Sequence, residues 1–121
     1  MGALGRRLPA AALLALIAVA LSPLDACHSA PALTEQESAG KQLYIGRCAH
    51  CHEDNDLALK KAPPDLHRLF NQEKLPSGAS ANDVEVRHVV LAGKGMMPAF
   101  TDRFNDEQLA ALLAYLHTGL R

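Results

Sequence analysis

Apolar and polar positions alternate along this chain in a way that separates a leader from a helical body. After Arg6 and Arg7, residues Leu8 to Leu21 are almost wholly apolar, and no charge returns before Asp25. The uncharged run, about 17 residues long, is at the lower limit for spanning a bilayer. Charged, then apolar, then small and turn-forming residues is the order of a secretory signal. Residues 1–26 are therefore read as a signal peptide, and an uncleaved membrane anchor is the alternative.

Beyond the leader the period changes to that of helices. Thr34-Glu35-Gln36-Glu37 has capping-box spacing, and Ala39, Leu43, Tyr44 and Arg47 follow at helical intervals. Gly40 lies inside that helix and lowers its propensity by about 1 kcal/mol, which makes sense if another helix crosses closely there. Glu53 to Lys61 is polar and charged, and reads as a surface loop with a short helical turn. Ala62-Pro63-Pro64-Asp65-Leu66 is extended, because proline cannot donate a hydrogen bond. His67 to Phe70 is predicted as a short helix and Asn71 to Ala81 as a loop. Asn82 caps a helix over Asp83 to Leu91 that turns Val86, Val89 and Val90 inward and stops at Gly93. The last helix opens with the capping box Asn105–Gln108 and carries Leu109, Leu112, Leu113, Tyr115 and Leu116 to a stop at Gly119. Its broad apolar face needs a partner, and the Gly40/Tyr44 face of the first helix is the natural one.

Composition narrows the function classes. The 121 residues hold 12 Lys+Arg and 13 Asp+Glu, enough chain for one domain. Without residues 1–26 the chain loses Arg6, Arg7 and Asp25, which leaves the remainder slightly acidic. Nothing here is a basic nucleic-acid surface, so no nucleic-acid partner is expected. With no tryptophan and few aromatics, the core would be thin, and a large apolar cofactor at its centre would complete it.

Candidate chemistry sits in Cys48-Ala49-His50-Cys51-His52. Cys-x-x-Cys-His is the attachment spacing of a c-type haem. Cysteines three apart share a helical edge, each can reach one vinyl group of a porphyrin, and the following His52 can place a ring nitrogen under the iron. Zinc ligation and a redox disulfide are the competing uses of such a pair, but no second Cys pair or compact His pair follows. A ligating histidine wants an acceptor for its other nitrogen; the free carbonyl of Pro64 is the candidate, and Leu66 is a candidate haem-wall residue. Downstream, Gly95 and Pro98 flank Met96-Met97 and keep that backbone out of a helix. A thioether is a soft neutral ligand that raises the potential of a His-ligated haem, and either methionine could supply it. His28, His50, His67, His88 and His117 are read as exposed or capping residues.

The third cysteine belongs to the leader. Leu24-Asp25-Ala26-Cys27 resembles a bacterial lipobox, with Asp25 as its mismatch, so Cys27 is a candidate lipidation site that would tether the protein to a membrane. Cleavage after Ala26 without a lipid, and a later cut that removes Cys27, are the alternatives. Residues 27–33 are then a short tether and 34–121 the folded domain.

From about Thr34 to Leu120 the chain resembles the bacterial class I c-type cytochromes. The residues that carry this are Gly40-x-x-x-Tyr44, Cys48-Ala49-His50-Cys51-His52, Pro64-x-Leu66, Gly93-x-Gly95-Met96-Met97-Pro98-Ala99-Phe100 and Leu112-Leu113-Ala114-Tyr115-Leu116. It departs at Glu53, where glycine is common. The resemblance implies an all-α cytochrome c-like fold, crossed N- and C-terminal helices around one covalently bound haem c. It also implies that the methionine directly before proline, Met97, is the ligand opposite His52. The expected function is one-electron transfer by a periplasmic or membrane-tethered carrier, with no catalytic residues. Ala49, Met96, Pro98 and Ala99 would surround the exposed haem edge. Partners would be redox proteins, donors and acceptors, that dock transiently; with no lysine ring evident, salt dependence should be modest. A subunit of a larger dehydrogenase or oxidase complex, and a haem enzyme or gas sensor with a displaceable sixth ligand, are the alternatives.

Overall fold

A computed structural model describes Gly2 and residues 30–121. The proposed signal peptide, apart from Gly2, and Cys27 lie outside the described residues. Residues Ala32–Arg121 form one compact unit. It is all-α, in the order α1 (Glu35–Arg47), α2 (Ala49–His52), a 3-10 turn (Leu69–Asn71), α3 (Asp83–Ala92) and α4 (Asp106–His117). No strand occurs among the described residues, only two isolated bridges, Lys74 with Ser80 and Lys94 with Met97.

Side-chain caps fix where the long helices begin. Thr34 accepts from Glu37 N while Glu37 reaches back to Thr34 N at 2.7 Å, and Asn105 and Gln108 repeat the exchange at the start of α4. Asn82 caps α3 through Glu85 N at 3.0 Å. Each such cap satisfies backbone donors that a helix start otherwise leaves unpaired, worth about 1 kcal/mol. Gly93 ends α3 with φ +72°, and a Cβ on it would lie 2.7 Å from Met97 O and 2.8 Å from Ala99 N. The residue is thus required both by its backbone angle and by the loop folded against it.

α1 packs on α4 more extensively than on any other element. At their crossing a Cβ on Gly40 would stand 2.0 Å from Ala111 O and 2.8 Å from Tyr115 Cβ, so the two backbones meet at that glycine. Tyr44 and Tyr115 close the crossing with ring centres 5.6 Å apart. The core gathers Tyr44, Leu69, Leu75, Val86, Val90, Phe100, Phe104 and the inner face of α4. Only Leu109 and Leu112 among its large side chains are fully enclosed; each contributes about 1.5–3 kcal/mol by leaving water.

Two local expectations need correction. Residues 53–61 contain hydrogen-bonded turns and no helical turn; Asn55 and Ala58 both take φ +46°, outside the helical basin. Asp56 N instead bonds His50 O at 2.8 Å and folds the loop back on α2. The short helix placed at His67–Phe70 is a 3-10 turn that begins at Leu69. The Asp65 carboxylate accepts from His67 N at 2.9 Å, and that local bond competes with the helix at its start. Val89 is half-buried, whereas Val86 and Val90 are buried.

Candidate functional site

The Cys48–His52 stretch follows α1 with almost no break. Cys48 N bonds Tyr44 O at 2.8 Å, and Cys51 N and His52 N both return to Cys48 O, at 3.1 and 3.0 Å. One turn thereby carries both thiols and the imidazole on adjoining positions. Both cysteines are free and half-buried. Burial, with a smaller contribution from Cys51, pushes the Cys48 thiol up to about 11. A redox-active or zinc-binding pair is normally shifted the other way, toward thiolate, so this environment fits thioether formation better than either competing use.

His52 is oriented by a single contact. Its Nδ1 lies 2.9 Å from Pro64 O; because a carbonyl only accepts, Nδ1 carries the proton and Nε2 keeps its lone pair for a metal. Leu66 and Met97 are half-buried and pack against the common core, as do Cys48, Ala49 and Leu43. Met96 is 70% exposed.

The loop that presents Met97 is pinned at both ends. Lys94 N bonds Met97 O at 3.1 Å and Met97 N bonds Lys94 O at 3.0 Å, which closes a tight turn. Beyond it, Phe100 N donates to Val90 O at 3.1 Å and the Thr101 hydroxyl to Leu91 O at 2.7 Å, tying the loop back to the end of α3. The residues present therefore suit a covalent haem: two thiols and an oriented imidazole on one turn, and a half-buried thioether on a separate braced loop.

The other described histidines bear no relation to this set except one. His50 pairs with Asp56 at 2.9 Å and is exposed; His88 is exposed. His117 stacks on Phe70 at 3.8 Å and meets Asp83 at 2.6 Å. His67 differs, because it faces Glu53, the residue after His52, at 3.8 Å. Sequence reading missed what Glu53 does. Its backbone caps α2 at φ −103°, where no glycine is needed, and its side chain accepts from the buried Tyr44 hydroxyl. Tyr44 is held strongly toward its neutral form, first by burial and then by that bond. Nothing in helical spacing links residues 44 and 53. A groove of about 470 Å³ over Val84, Arg87, Leu113 and Ala114 shares no residue with the site.

The Asp65–His67 pair gives a pH-dependent prediction. Bonds from His67, its backbone N–H first, hold Asp65 below the usual carboxylate range, and the same carboxylate raises His67. A lowered acid stabilises above its unfolded value and loses that effect as pH falls; a raised histidine stabilises below its unfolded value and loses it as pH rises. Both contributions coexist between about pH 4 and pH 6.5. Asp65→Asn is expected to lower the melting temperature more at about pH 5.5 than at about pH 8. Equal losses at the two pH values would contradict it.

Comparison with known proteins came to the same region. Residues 35–116 match the family model described as cytochrome C oxidase, cbb3-type, subunit III. The cytochrome c6 of Picosynechococcus sp. (strain ATCC 27264 / PCC 7002 / PR-6) is 29% identical over 106 residues, covering 84% of this chain and 90% of that protein. The cytochrome c6 of Tetradesmus obliquus is 31% identical over 78 residues, 64% of this chain and 84% of that protein. The cbb3-type cytochrome c oxidase subunit FixPc of Rhizobium leguminosarum bv. viciae is 31% identical over 91 residues, 74% of this chain but 29% of that longer protein. No solved structure matches.

Proposed function

The chain belongs to the cbb3-type subunit III family and is a class I monohaem c-type cytochrome, an electron carrier with one covalently bound haem c; from that premise we propose which residues serve the cofactor. Cys48 and Cys51 form the two thioethers. His52 and Met97 would hold the iron, Pro64 would orient the imidazole, and Leu66 would form part of the wall. The haem supplies a couple that cycles between ferric and ferrous iron. The protein's part is to keep both ligands in place in each state, so that an electron can come and go with little rearrangement. The observation that carries this reading is the bond from His52 Nδ1 to Pro64 O, which leaves Nε2 as the only ring atom able to bind a metal.

With both His52 and Met97 holding the iron, no position would be open to a substrate, and the protein would act as a carrier without catalytic residues. Docking partners are donor and acceptor redox proteins, met briefly over the edge where Met96, Pro98 and Ala99 are exposed. A second reading, a cytochrome subunit within an oxidase complex, is favoured by the family description and by the FixPc relative; co-purification with a larger assembly would decide for it. No helix among the described residues is long and apolar enough to cross a membrane. Residues 1–26 as signal peptide, export to the periplasm, and a lipid on Cys27 that anchors the domain through residues 27–33 all rest on the leader sequence.

Intact-mass spectrometry of the mature protein tests these together. The expected mass is that of residues 27–121 plus one haem and an acylated cysteine. A folded product without haem would overturn the carrier reading. A product that starts at an unmodified Cys27, or after it, would overturn the lipid tether.

A further inference from the structure

What keeps the Pro64 carbonyl on His52 is not evident from secondary structure, because residues 62–66 belong to no helix or strand. The next residues supply an answer. Asp65 Oδ1 accepts from both His67 N and His67 Nδ1, at 2.9 and 2.8 Å. His67 Nε2 then stands 3.8 Å from Glu53 Oε2, the separation of an ion pair rather than a hydrogen bond. Glu53 Oε1 takes the hydroxyl proton of Tyr44 into a hydrogen bond, and Tyr44 is 3% exposed at the α1–α4 crossing. On its other side the His67 carbonyl lies against Gly119, where a Cβ would approach to 3.1 Å. The path therefore starts at the most extensive helix packing of the fold and passes through Glu53, which directly follows His52. It ends at Asp65, which directly follows Pro64.

We propose that Tyr44, Glu53, His67 and Asp65 form a polar clamp that holds the Pro64 carbonyl against His52 and thereby tunes the reduction potential of the iron. The inference rests on the reading of His52 as an axial ligand. A hydrogen bond to Nδ1 fixes the ring and raises the basicity of the ligating nitrogen, which favours the ferric state and lowers the potential. A loosened clamp weakens that bond and raises the potential. These four side chains are positioning residues, since none of them is placed on the iron.

The sign of the effect separates this mechanism from a simple field of nearby charges. His67→Gln removes a group that can carry positive charge; a field alone would lower the potential or leave it unmoved. Tyr44→Phe keeps the ring in the core and takes a donor away from the Glu53 carboxylate; a field alone would again lower the potential or leave it unmoved. The clamp requires both to rise, by a shift of about threefold to tenfold toward the ferrous form, the upper figure being about 59 mV for one electron.

The experiment is a redox titration of the haem-loaded protein and of both variants. Solvent exchange of the His52 Nδ1 proton in the ferrous proteins is followed by nuclear magnetic resonance. Higher potentials with faster exchange in both variants are expected. Potentials that fall or stay put, or an exchange rate that does not change, overturn the clamp. A wild-type spectrum without an imidazole-ligated haem overturns the ligand reading itself, before any variant is compared.

Discussion

Met97→Ala is expected to remove the ferric absorbance band of a methionine–iron bond and to let the reduced protein bind carbon monoxide. Its potential should fall by a sizeable part of the range of about 0.8 V over which axial ligands set haem potentials, because methionine opposite histidine favours the reduced state. Met96→Ala should leave spectrum and potential unchanged. The two residues are neighbours in sequence and opposites in setting. Met97 is half-buried against the core and its backbone is locked by paired bonds to Lys94, while the Met96 side chain is 70% exposed. A Met97→Ala protein with the parent spectrum and potential would show that the sixth ligand comes from elsewhere.

Gly40→Ala should unfold the protein at a markedly lower temperature, although alanine is the better helix former. The new Cβ would sit 2.0 Å from Ala111 O, and a backbone atom cannot swing aside as a side chain can. α1 and α4 must separate, at an overpacking cost of about 1–3 kcal/mol and at times more. The gain in helix propensity offsets about 1 kcal/mol. So close an approach to a backbone atom puts the cost at the upper end of that range, and the net loss of about 2 kcal/mol lowers the melting temperature by roughly 8–16 °C in a domain of this size. Gly46→Ala is the internal control: it lies in the same helix, and a Cβ there meets nothing within 4 Å. That change should raise the melting temperature by a few degrees. Melts of both variants in the haem-loaded state decide the matter, and similar shifts in one direction would refute the close crossing.

Much of this arrangement is legible in the linear pattern because its causes are local. Thr34 with Glu37, Asn82 with Glu85, and Asn105 with Gln108 are three-residue relations, and each helix begins where its cap is. Gly40 gives a coarser hint: it signals a close neighbour, and the apolar face of α4 names the candidate. The extended Pro63-Pro64 pair likewise marks a free carbonyl near His52. What stays hidden depends on contacts between residues with no periodic relation. The Tyr44 hydroxyl on Glu53, His67 beside Glu53, and Asp83 on His117 each need the finished packing before they exist. The loop at 53–61 fails for a different reason. Its Leu-Ala-Leu spacing suits a helical turn, but Asn55 and Ala58 adopt positive φ so that Asp56 can close on His50.

The crossing at Gly40 also has a consequence in time. Its partner Ala111 lies near the far end of the chain, and such a distant pairing is slow to find. Until the last helix has formed and docked, the first helix has nothing to pack against at that glycine. Cys48 and Cys51, on the turn that follows the first helix, consequently stay accessible until the closing helix docks, and a slow closing step leaves time for the cofactor to be joined.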